Sequence, residues 1–180
     1  MSLPQIPAGK WAVDATHSRI GFVARHLMVT KVRGSFRDYT AEIVVADDPL
    51  ESTVKVDVEM DSIDTGNADR DGHLRTNDFF DVPEYPTMSL VSTGFTPVDE
   101  SEFKLHADLT VRGVTRPVTF DVEFEGVAKD PWGGTRAGFS ATTTINRKDW
   151  GIEWNAPLET GGVLVSDKVA IELDIELVKE

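Results

Sequence analysis

The chain has 180 residues, no cysteine and a formal net charge of −13, from 18 Lys and Arg against 31 Asp and Glu. That length suits one domain, and a hydrophobic content of 40% is enough to build a core. The acidic balance argues against nucleic-acid binding and against docking on an anionic membrane, because both need clustered Lys and Arg. The absence of cysteine excludes disulfides, thiolate metal sites and cysteine nucleophiles.

Residues 1–9 form an N-terminal arm before a single domain at 10–180. The arm contains proline and lacks the basic start and apolar stretch of a secretory signal peptide. No apolar run approaches the ~20 residues that a transmembrane helix needs, so stable membrane insertion is not expected. We therefore expect a cytoplasmic protein.

Alternating apolar and polar residues predict β-strands along most of the chain, because successive side chains of a strand point to opposite faces. We count about nine such segments. They lie at 11–14, 20–24, 41–45, 54–60, 87–96, 103–111, 118–124, 137–145 and 169–177. Each segment predicts one apolar face and one polar or charged face.

Turn-forming residues, rather than helices, join these segments, at 47–49, 112–113, 130–134 and 161–162. Short links between strands with one apolar face favour an antiparallel sheet. The apolar faces must share one interior and unpaired edges must be avoided, which leaves a closed barrel or a sandwich. Several segments reach about ten residues, more than 30 Å at ~3.3 Å per residue, and this length favours a tall barrel. The fold class is all-β.

The stretch at 64–85 breaks the alternation. Residues 68–76 are predicted to form a short helix, and the prolines at 83 and 86 end the segment before the next strand. Leu74, Phe79 and Phe80 require burial, which predicts an ordered cap over one end of the barrel. A second irregular stretch, at 147–160, carries Trp150 and Trp154 and is expected to cover the barrel as well.

Four blocks of residues, in order, resemble the YceI-like family of polyisoprenoid-binding proteins with a lipocalin-like barrel. They are WAVDATHS at 11–18, the cap residues Arg70, His73, Leu74, 78–81 and 85–87, the run at 107–118, and the run at 138–152 with INRKDWGI. The resemblance implies an antiparallel barrel of about eight strands around a long apolar tunnel that holds an isoprenoid or another long amphiphile. Many family members carry a signal peptide, and this chain departs from them there.

The apolar phases of the strands leave two interpretations of the barrel interior open. The side chains either fill a core or line a pocket, which small inward residues favour, namely Ala24, Ala41, Ala107, Ala137, Ala141 and Thr143. The family resemblance favours the pocket. The residues then predicted to line the tunnel and bind ligand are Phe22, Ala24, Phe36, Val56, Val58, Leu105, Leu109, Phe120, Val122, Phe139, Ala141 and Leu173.

No catalytic residue, cofactor or metal site is predicted. The four histidines lack metal-ligand spacing, and Asp14, His17 and Ser18 lack the sharp elbow that a serine nucleophile needs. Most carboxylates fall on the outward phase, where they serve solubility. The basic residues that are candidates for meeting a polar or phosphate head group are Arg25, Lys31, Arg33, Arg70, Arg75 and Arg147.

The function predicted is non-catalytic binding of a long lipid-like amphiphile, such as a polyisoprenoid, for carriage, storage or sensing. Its affinity would come from chain burial, at ~0.8 kcal/mol per CH₂ group. The alternative is an enzyme acting on a small apolar substrate in the same barrel, which needs an inward titratable group; His26 is the best exception to the apolar phases. A third possibility is an interaction module with a filled barrel. The long exposed strands are compatible with a homodimer.

Overall fold

The protein is described by a computed structural model that covers residues 2–27, 29–156, 158 and 164–180. Strands dominate these residues. In chain order the strands are β1 (Gly9–Val13), β2 (Arg19–His26), β3 (Thr30–Phe36), β4 (Tyr39–Val45), β5 (Thr53–Glu59), β6 (Ile63–Asp64), β7 (Thr87–Pro97), β8 (Glu102–Val111), β9 (Val114–Lys129), β10 (Thr135–Asn146) and β11 (Lys168–Lys179). One α-helix, α1, spans Ala68–Leu74. No helix within the described ranges is long and apolar enough to cross a bilayer.

The eleven strands close into one antiparallel barrel with eight positions. Strands β1, β4, β5, β7, β8, β9, β10 and β11 pair in that order, and β11 returns to β1 with Trp11 opposite Lys179. Three positions consist of two consecutive segments, because β2 continues β1, β3 leads into β4 and β6 continues β5. The predicted all-β barrel with a short helical cap segment is confirmed.

The strands of the second half of the barrel are long, as the sequence predicted. Strand β9 has 16 residues, and β10 and β11 have 12 each. At ~3.3 Å per residue, β9 alone spans about 50 Å. Pairing shifts by one residue between Gly138 and Phe139 and again between Ser92 and Gly94. Such bulges let long strands bend, which helps the sheet to close on itself.

The barrel has two differently covered ends, which we call the cap end and the arm end. The cap end is covered by residues 64–85 and by the segment 147–156. The arm end carries residues 2–8 and the connection 46–52. Leu3 is only 7% exposed, so the predicted arm packs on the barrel. The predicted turn at Gly161-Gly162, and residues 157, 159 and 160 of the predicted second cover, lie outside the described residues.

The cap is joined to the turn between β8 and β9. Arg112 and Gly113 form that turn with positive φ angles of 51° and 74°, and a Cβ at position 113 would lie 2.9 Å from the Tyr85 ring. Glycine therefore serves both the backbone and the close approach of the cap. The Arg112 Nη1 donates to the Phe79 carbonyl over 2.8 Å, which attaches the cap to the barrel wall.

Candidate functional site

An apolar cavity of about 340 Å³ lies inside the barrel and extends between its two ends, and we call it the tunnel. Side chains from all eight barrel positions line it, because inward residues alternate with outward residues on every strand. All the residues predicted to line the tunnel do lie along it, namely Phe22, Ala24, Phe36, Val56, Val58, Leu105, Leu109, Phe120, Val122, Phe139, Ala141 and Leu173. The predicted cap residues Leu74, Phe79 and Phe80 lie there as well.

The interior of the barrel is only partly filled by its own side chains. Phe120 and Val58 are 2% and 4% exposed, as in a packed core. Phe22, Phe139 and Leu173 also point inward but are only half-buried. An inward side chain keeps accessible surface only where the space before it is empty, and that distinguishes a tunnel from a filled core.

The small inward residues divide into two groups. Ala24, Ala41 and Ala141 line the tunnel, as the small-residue argument expected. Ala107 and Ala137 do not line it, since each is 1% exposed and packs within a hydrophobic cluster. Thr143 is not part of the tunnel lining either. Packing against neighbours, rather than side-chain size alone, decides which small residues leave open space.

A glycine makes room for the aromatic wall of the tunnel. Gly34 pairs directly with Phe22 across β2 and β3, and a Cβ at position 34 would come within about 2.3 Å of the Phe22 ring. The ring therefore lies against the bare backbone of β3. Any larger residue at position 34 would push Phe22 into the tunnel.

The cap is held by a buried polar network. The Thr65 N–H and hydroxyl both donate to Asp71 Oδ1, over 2.9 and 2.5 Å. Arg70 donates from Nε to the Thr65 hydroxyl over 2.8 Å and from Nη2 to the Thr65 carbonyl over 2.7 Å. The Asn67 side chain caps α1 by accepting from the Arg70 N–H. These bonds give a short helix the order that its length alone would not provide.

Three aromatic rings pack together where the two cap-end segments meet. The His73 ring lies 5.1 Å from the Phe79 ring and 4.7 Å from the Trp154 ring, edge to face in both cases. Its Nε2 also bonds Asp78 Oδ2 at 2.8 Å. The indole of Trp150 donates to the Leu109 carbonyl over 3.0 Å. The segment 147–156 thus covers the barrel as the sequence predicted.

A second cavity of about 450 Å³ adjoins the tunnel at the cap end, with more charged and polar residues in its lining, and we call it the mouth pocket. It shares part of its wall with the tunnel, namely Phe22, Ala24, Leu74, Phe79 and Val165. The rest of its lining includes Arg25, His26, Arg70 and His73, with Asp69 as the acidic residue. The two cavities together give an apolar compartment with charged and polar residues around its cap end.

The basic residues considered for a head group are separated by the structure. Arg25 and Arg70 line the mouth pocket, and Arg147 lines the tunnel wall. Lys31, Arg33 and Arg75 line neither cavity. Arg75 instead meets Asp61 over 3.2 Å, and Arg33 meets Glu172 over 3.5 Å.

Among the residues that the structure describes, two ionisable side chains line the tunnel, Tyr39 and Arg147. Burial raises the pKa of the Tyr39 phenol, and Asp14 raises it further. Burial lowers the pKa of the Arg147 guanidinium, which Asp167 partly offsets from 3.7 Å. Arg147 also donates to the carbonyls of Ile152 and Ser166 over 2.9 Å each, so it holds the 147–156 segment in place.

The arm contributes tunnel wall that sequence reasoning missed. Leu3, Pro4 and Ile6 line the tunnel at the arm end, with Pro49 and Ser52 of the 46–52 connection and Thr53 at the start of β5. None of these residues is charged. The apolar residues of the arm were the available signal, since a solvated tail has no need of them.

A charged cluster lies on the outer wall towards the arm end. The Arg136 guanidinium bonds Asp14, Asp130 and Glu176 over 2.7, 3.0 and 3.0 Å. His17 Nδ1 lies 2.8 Å from the same Asp14 oxygen. Donor atoms of Asp14, His17 and Glu176 lie within 4.8 Å of one another, but a cation placed there would have to displace the guanidinium. Asp14, directly after β1, also accepts from the Thr16 N–H.

The chain was compared with known proteins. The model of the YceI-like domain matches residues 11–177. A UPF0312 protein of Staphylococcus epidermidis is 40% identical over 169 residues, which cover 93% of this chain and 96% of that protein. A UPF0312 protein of Pseudomonas putida is 35% identical over 183 residues, which cover 100% of this chain and 92% of that protein.

Solved structures show the same barrel. The Campylobacter jejuni YCEI protein superposes with a TM-score of 0.75 and 29% identity, over 87% of this chain and 90% of that one. A polyisoprenoid binding domain from Saccharophagus degradans superposes with a TM-score of 0.70 and 17% identity, over 94% and 98% of the two chains. The family match extends over the barrel, the cap and the segment at 147–156, and the chain therefore belongs to the YceI-like family.

Proposed function

We propose that this protein binds the hydrocarbon chain of a lipid-like amphiphile in the tunnel and does not transform it. The main support for this proposal is an apolar cavity of about 340 Å³ inside a closed barrel. This volume lies within the ~300–1,000 Å³ usual for small-molecule sites. Empty apolar space of this size costs packing energy. A bound hydrocarbon chain would offset that cost. Each buried CH₂ group would supply ~0.8 kcal/mol.

The tunnel volume limits how much chain it can hold. At the ~30 Å³ that one water-sized group occupies, 340 Å³ accepts about eleven non-hydrogen atoms. A longer chain must continue into the mouth pocket. The polar lining of that pocket supports an orientation with the polar end of the ligand at the cap end and the chain end towards the arm.

An isoprenoid chain is our preferred ligand class. A structural neighbour is named a polyisoprenoid binding domain, and an isoprenoid chain is as apolar as the tunnel wall. The small residues Ala24, Ala41 and Ala141 leave space for branched methyl groups along that wall. The family relationship supports this choice without fixing the length of the chain or its polar group.

The absence of catalysis is also a proposal, and it is supported by the placement of titratable groups. The tunnel presents a phenol and a guanidinium, and neither exchanges protons readily near neutral pH. His26 and His73 line the mouth pocket rather than the tunnel. An enzyme in this barrel would therefore act at the mouth, on the polar end of its substrate.

Organic extraction of the purified protein, followed by mass spectrometry, tests the proposal. Wild type is compared with Ala141→Trp, which fills the tunnel, and with Thr142→Trp, its exposed neighbour on the outer face. Each stripped protein is then mixed with farnesol. We expect wild type and Thr142→Trp to retain an amphiphile or take up farnesol, and Ala141→Trp to do neither while unfolding cooperatively.

Two results would overturn parts of the proposal. Equal farnesol uptake by Ala141→Trp would show that the ligand does not occupy the tunnel. Recovery of farnesol in chemically altered form would favour the enzyme. If Ala141→Trp fails to fold, the same comparison is made with Ala41→Phe, on the opposite wall of the lining.

A further inference from the structure

The turn between β2 and β3 exposes the apolar side chains of Leu27 and Val29 at the cap end. Leu27 is 41% exposed and Val29 is 73% exposed. Leu27 has a φ of +56°, a conformation that leucine rarely adopts. Its N–H donates to the Leu164 carbonyl over 2.9 Å, and the Val29 N–H donates to the His26 carbonyl. These backbone hydrogen bonds hold Leu27 and Val29, which we call the apolar tip, in place.

Two uncompensated cations stand beside this tip. Arg25 and Lys31 are directly opposite each other in the register of β2 and β3, and both are exposed. Like charges at opposite positions destabilise a strand pair. Neither forms an ion pair with any residue in the described ranges, whereas nearby Arg33 meets Glu172. Their pairing in the register places two positive charges side by side next to Leu27 and Val29.

The tip also lies at the rim of the mouth pocket. Arg25 and His26 line the pocket from the end of β2, and Leu164, which accepts the hydrogen bond from Leu27, lines it too. An exposed leucine or valine alone would need no explanation. Here the apolar tip, the cations Arg25 and Lys31, and the opening of the mouth pocket lie next to one another.

We propose that residues 25–27 and 29–31, which we call the rim hairpin, dock the protein reversibly on an anionic lipid bilayer. Leu27 and Val29 would enter the boundary between head groups and acyl chains, and Arg25 and Lys31 would contact lipid phosphates. The mouth pocket would then open onto the membrane. The inference rests on the proposed function, because a bilayer is the source from which a carrier of lipid-like ligands would load.

The net charge of −13 does not prevent this contact. At physiological salt the Debye length is ~8 Å, so acidic groups on the far side of the barrel are screened from the membrane. Charges within that distance of the bilayer decide the interaction. The sequence expectation against membrane docking used the sum of the charges, and their placement reverses it locally.

The opposite end of the barrel offers a matched comparison. The hairpin between β9 and β10 exposes Trp132 by 86% and has Lys129 beside it. Tryptophan is a strong interfacial anchor. The arginine of this hairpin, Arg136, is however bonded to three carboxylates, so the surrounding surface carries an excess of acid.

Vesicle flotation tests the proposal, with phosphatidylcholine vesicles that contain about one-third phosphatidylglycerol. Wild type should bind at ~0.01 M salt, should be released at ~1 M salt, and should not bind pure phosphatidylcholine. Lys31→Glu should lower the partition coefficient about 25-fold, at about fivefold per unit of charge, and Val29→Ser about tenfold. Lys129→Glu and Trp132→Ser should leave it within about twofold of wild type.

Farnesol uptake is measured on the same variants, since Lys31 and Val29 line neither cavity. Unchanged farnesol uptake together with lost vesicle binding supports docking through the rim hairpin. Failure of wild type to bind farnesol would contradict the proposed function, and vesicle binding would then test membrane docking separately. The inference is overturned if wild type does not bind anionic vesicles, or if Trp132→Ser, rather than Val29→Ser, abolishes vesicle binding. A dimer in sedimentation that Val29→Ser dissolves, without vesicle binding, would make the tip a protein interface instead.

Discussion

The two ends of the barrel close the same tunnel by different physical means. At the cap end, a segment of some twenty residues is ordered by buried hydrogen bonds around Thr65 and Asp71 and presents polar side chains to the opening. At the arm end, short apolar stretches that include Leu3 and Ile6 cover the cavity and present no charge to it. The charged groups near the arm end lie outside, around Arg136.

This difference gives the tunnel a direction. An amphiphile gains by placing its chain where no polar group must be desolvated and its polar end where hydrogen bonds are on offer. The cap end satisfies the second condition and the arm end the first. On the proposed function, ligand would pass the cap end, and the buried hydrogen bonds of the cap would set how readily the cap shifts.

The largest effect on this comparison is expected from Asp71→Ala in the cap. It leaves the Thr65 N–H and hydroxyl without their acceptor, and unpaired buried donors cost ~1–3 kcal/mol each. The melting temperature should fall by about 8 °C, and amide hydrogens of residues 64–76 should exchange faster while those of β1 and β11 do not. Asp108→Ala, on the exposed face of β8, is the control. An unchanged melting temperature would mean that the cap is not held by this network.

A smaller effect is expected from Arg136→Gln near the arm end. Its melting temperature should be about 4 °C below that of wild type at neutral pH. Hydrogen bonds from His17 and then Arg136 hold the pKa of Asp14 far below its ordinary value of 3.8. The Gly134 N–H, followed by Arg136, lowers the pKa of Asp130. Lowered carboxyl pKa values stabilise the fold above pH ~4, and this contribution is lost as the pH falls further.

The difference in melting temperature between wild type and Arg136→Gln should therefore shrink below pH ~4. Arg33→Gln removes an exposed ion pair of 3.5 Å and should change the melting temperature by less than about 1 °C. If both variants behave alike at neutral pH, the Arg136 cluster contributes no more than an ordinary surface pair. Farnesol uptake should survive in both, because neither residue lines a cavity.

The smallest effect is expected from His17→Gln. The hydrogen bond to Asp14 raises the pKa of His17 above its ordinary value of 6.5, with help from the charges of Asp14 and Glu176. A raised histidine pKa stabilises the fold below pH ~6.5 and loses that effect as the pH rises through the folded-state value. The melting temperature of the variant should be about 1 °C below that of wild type near pH ~5.5, and the two should be equal near pH ~9. The reverse order would contradict the assigned charge state.

The sequence predicted the barrel because strand alternation is a local property. The alternation predicted Phe120 and Leu173 as inward without knowledge of their partners. The loss of alternation predicted the cap. It did not predict that Ala137 packs while Ala141 lines open space, because that depends on residues across the barrel. The Arg136 cluster was missed for the same reason, since Asp14 and Glu176 are joined only when β11 closes on the first position of the barrel.

The role of the arm was also beyond local pattern. Residues 1–9 show no periodicity, and only the closed barrel reveals that Leu3 and Ile6 meet the tunnel. The cations of the rim hairpin were visible as residue types, but their position opposite each other follows from the register of β2 and β3.

The most direct test of the central claim is the affinity of the stripped protein for straight-chain alcohols of increasing length, measured by calorimetry. If chain burial in the tunnel drives binding, the affinity should rise about fourfold for each added methylene, the equivalent of ~0.8 kcal/mol. The rise should hold to about eleven carbons, where a cavity of 340 Å³ is full, and should become less steep for carbons that extend into the mouth pocket. An affinity that does not depend on chain length would contradict the claim that the tunnel binds the hydrocarbon chain.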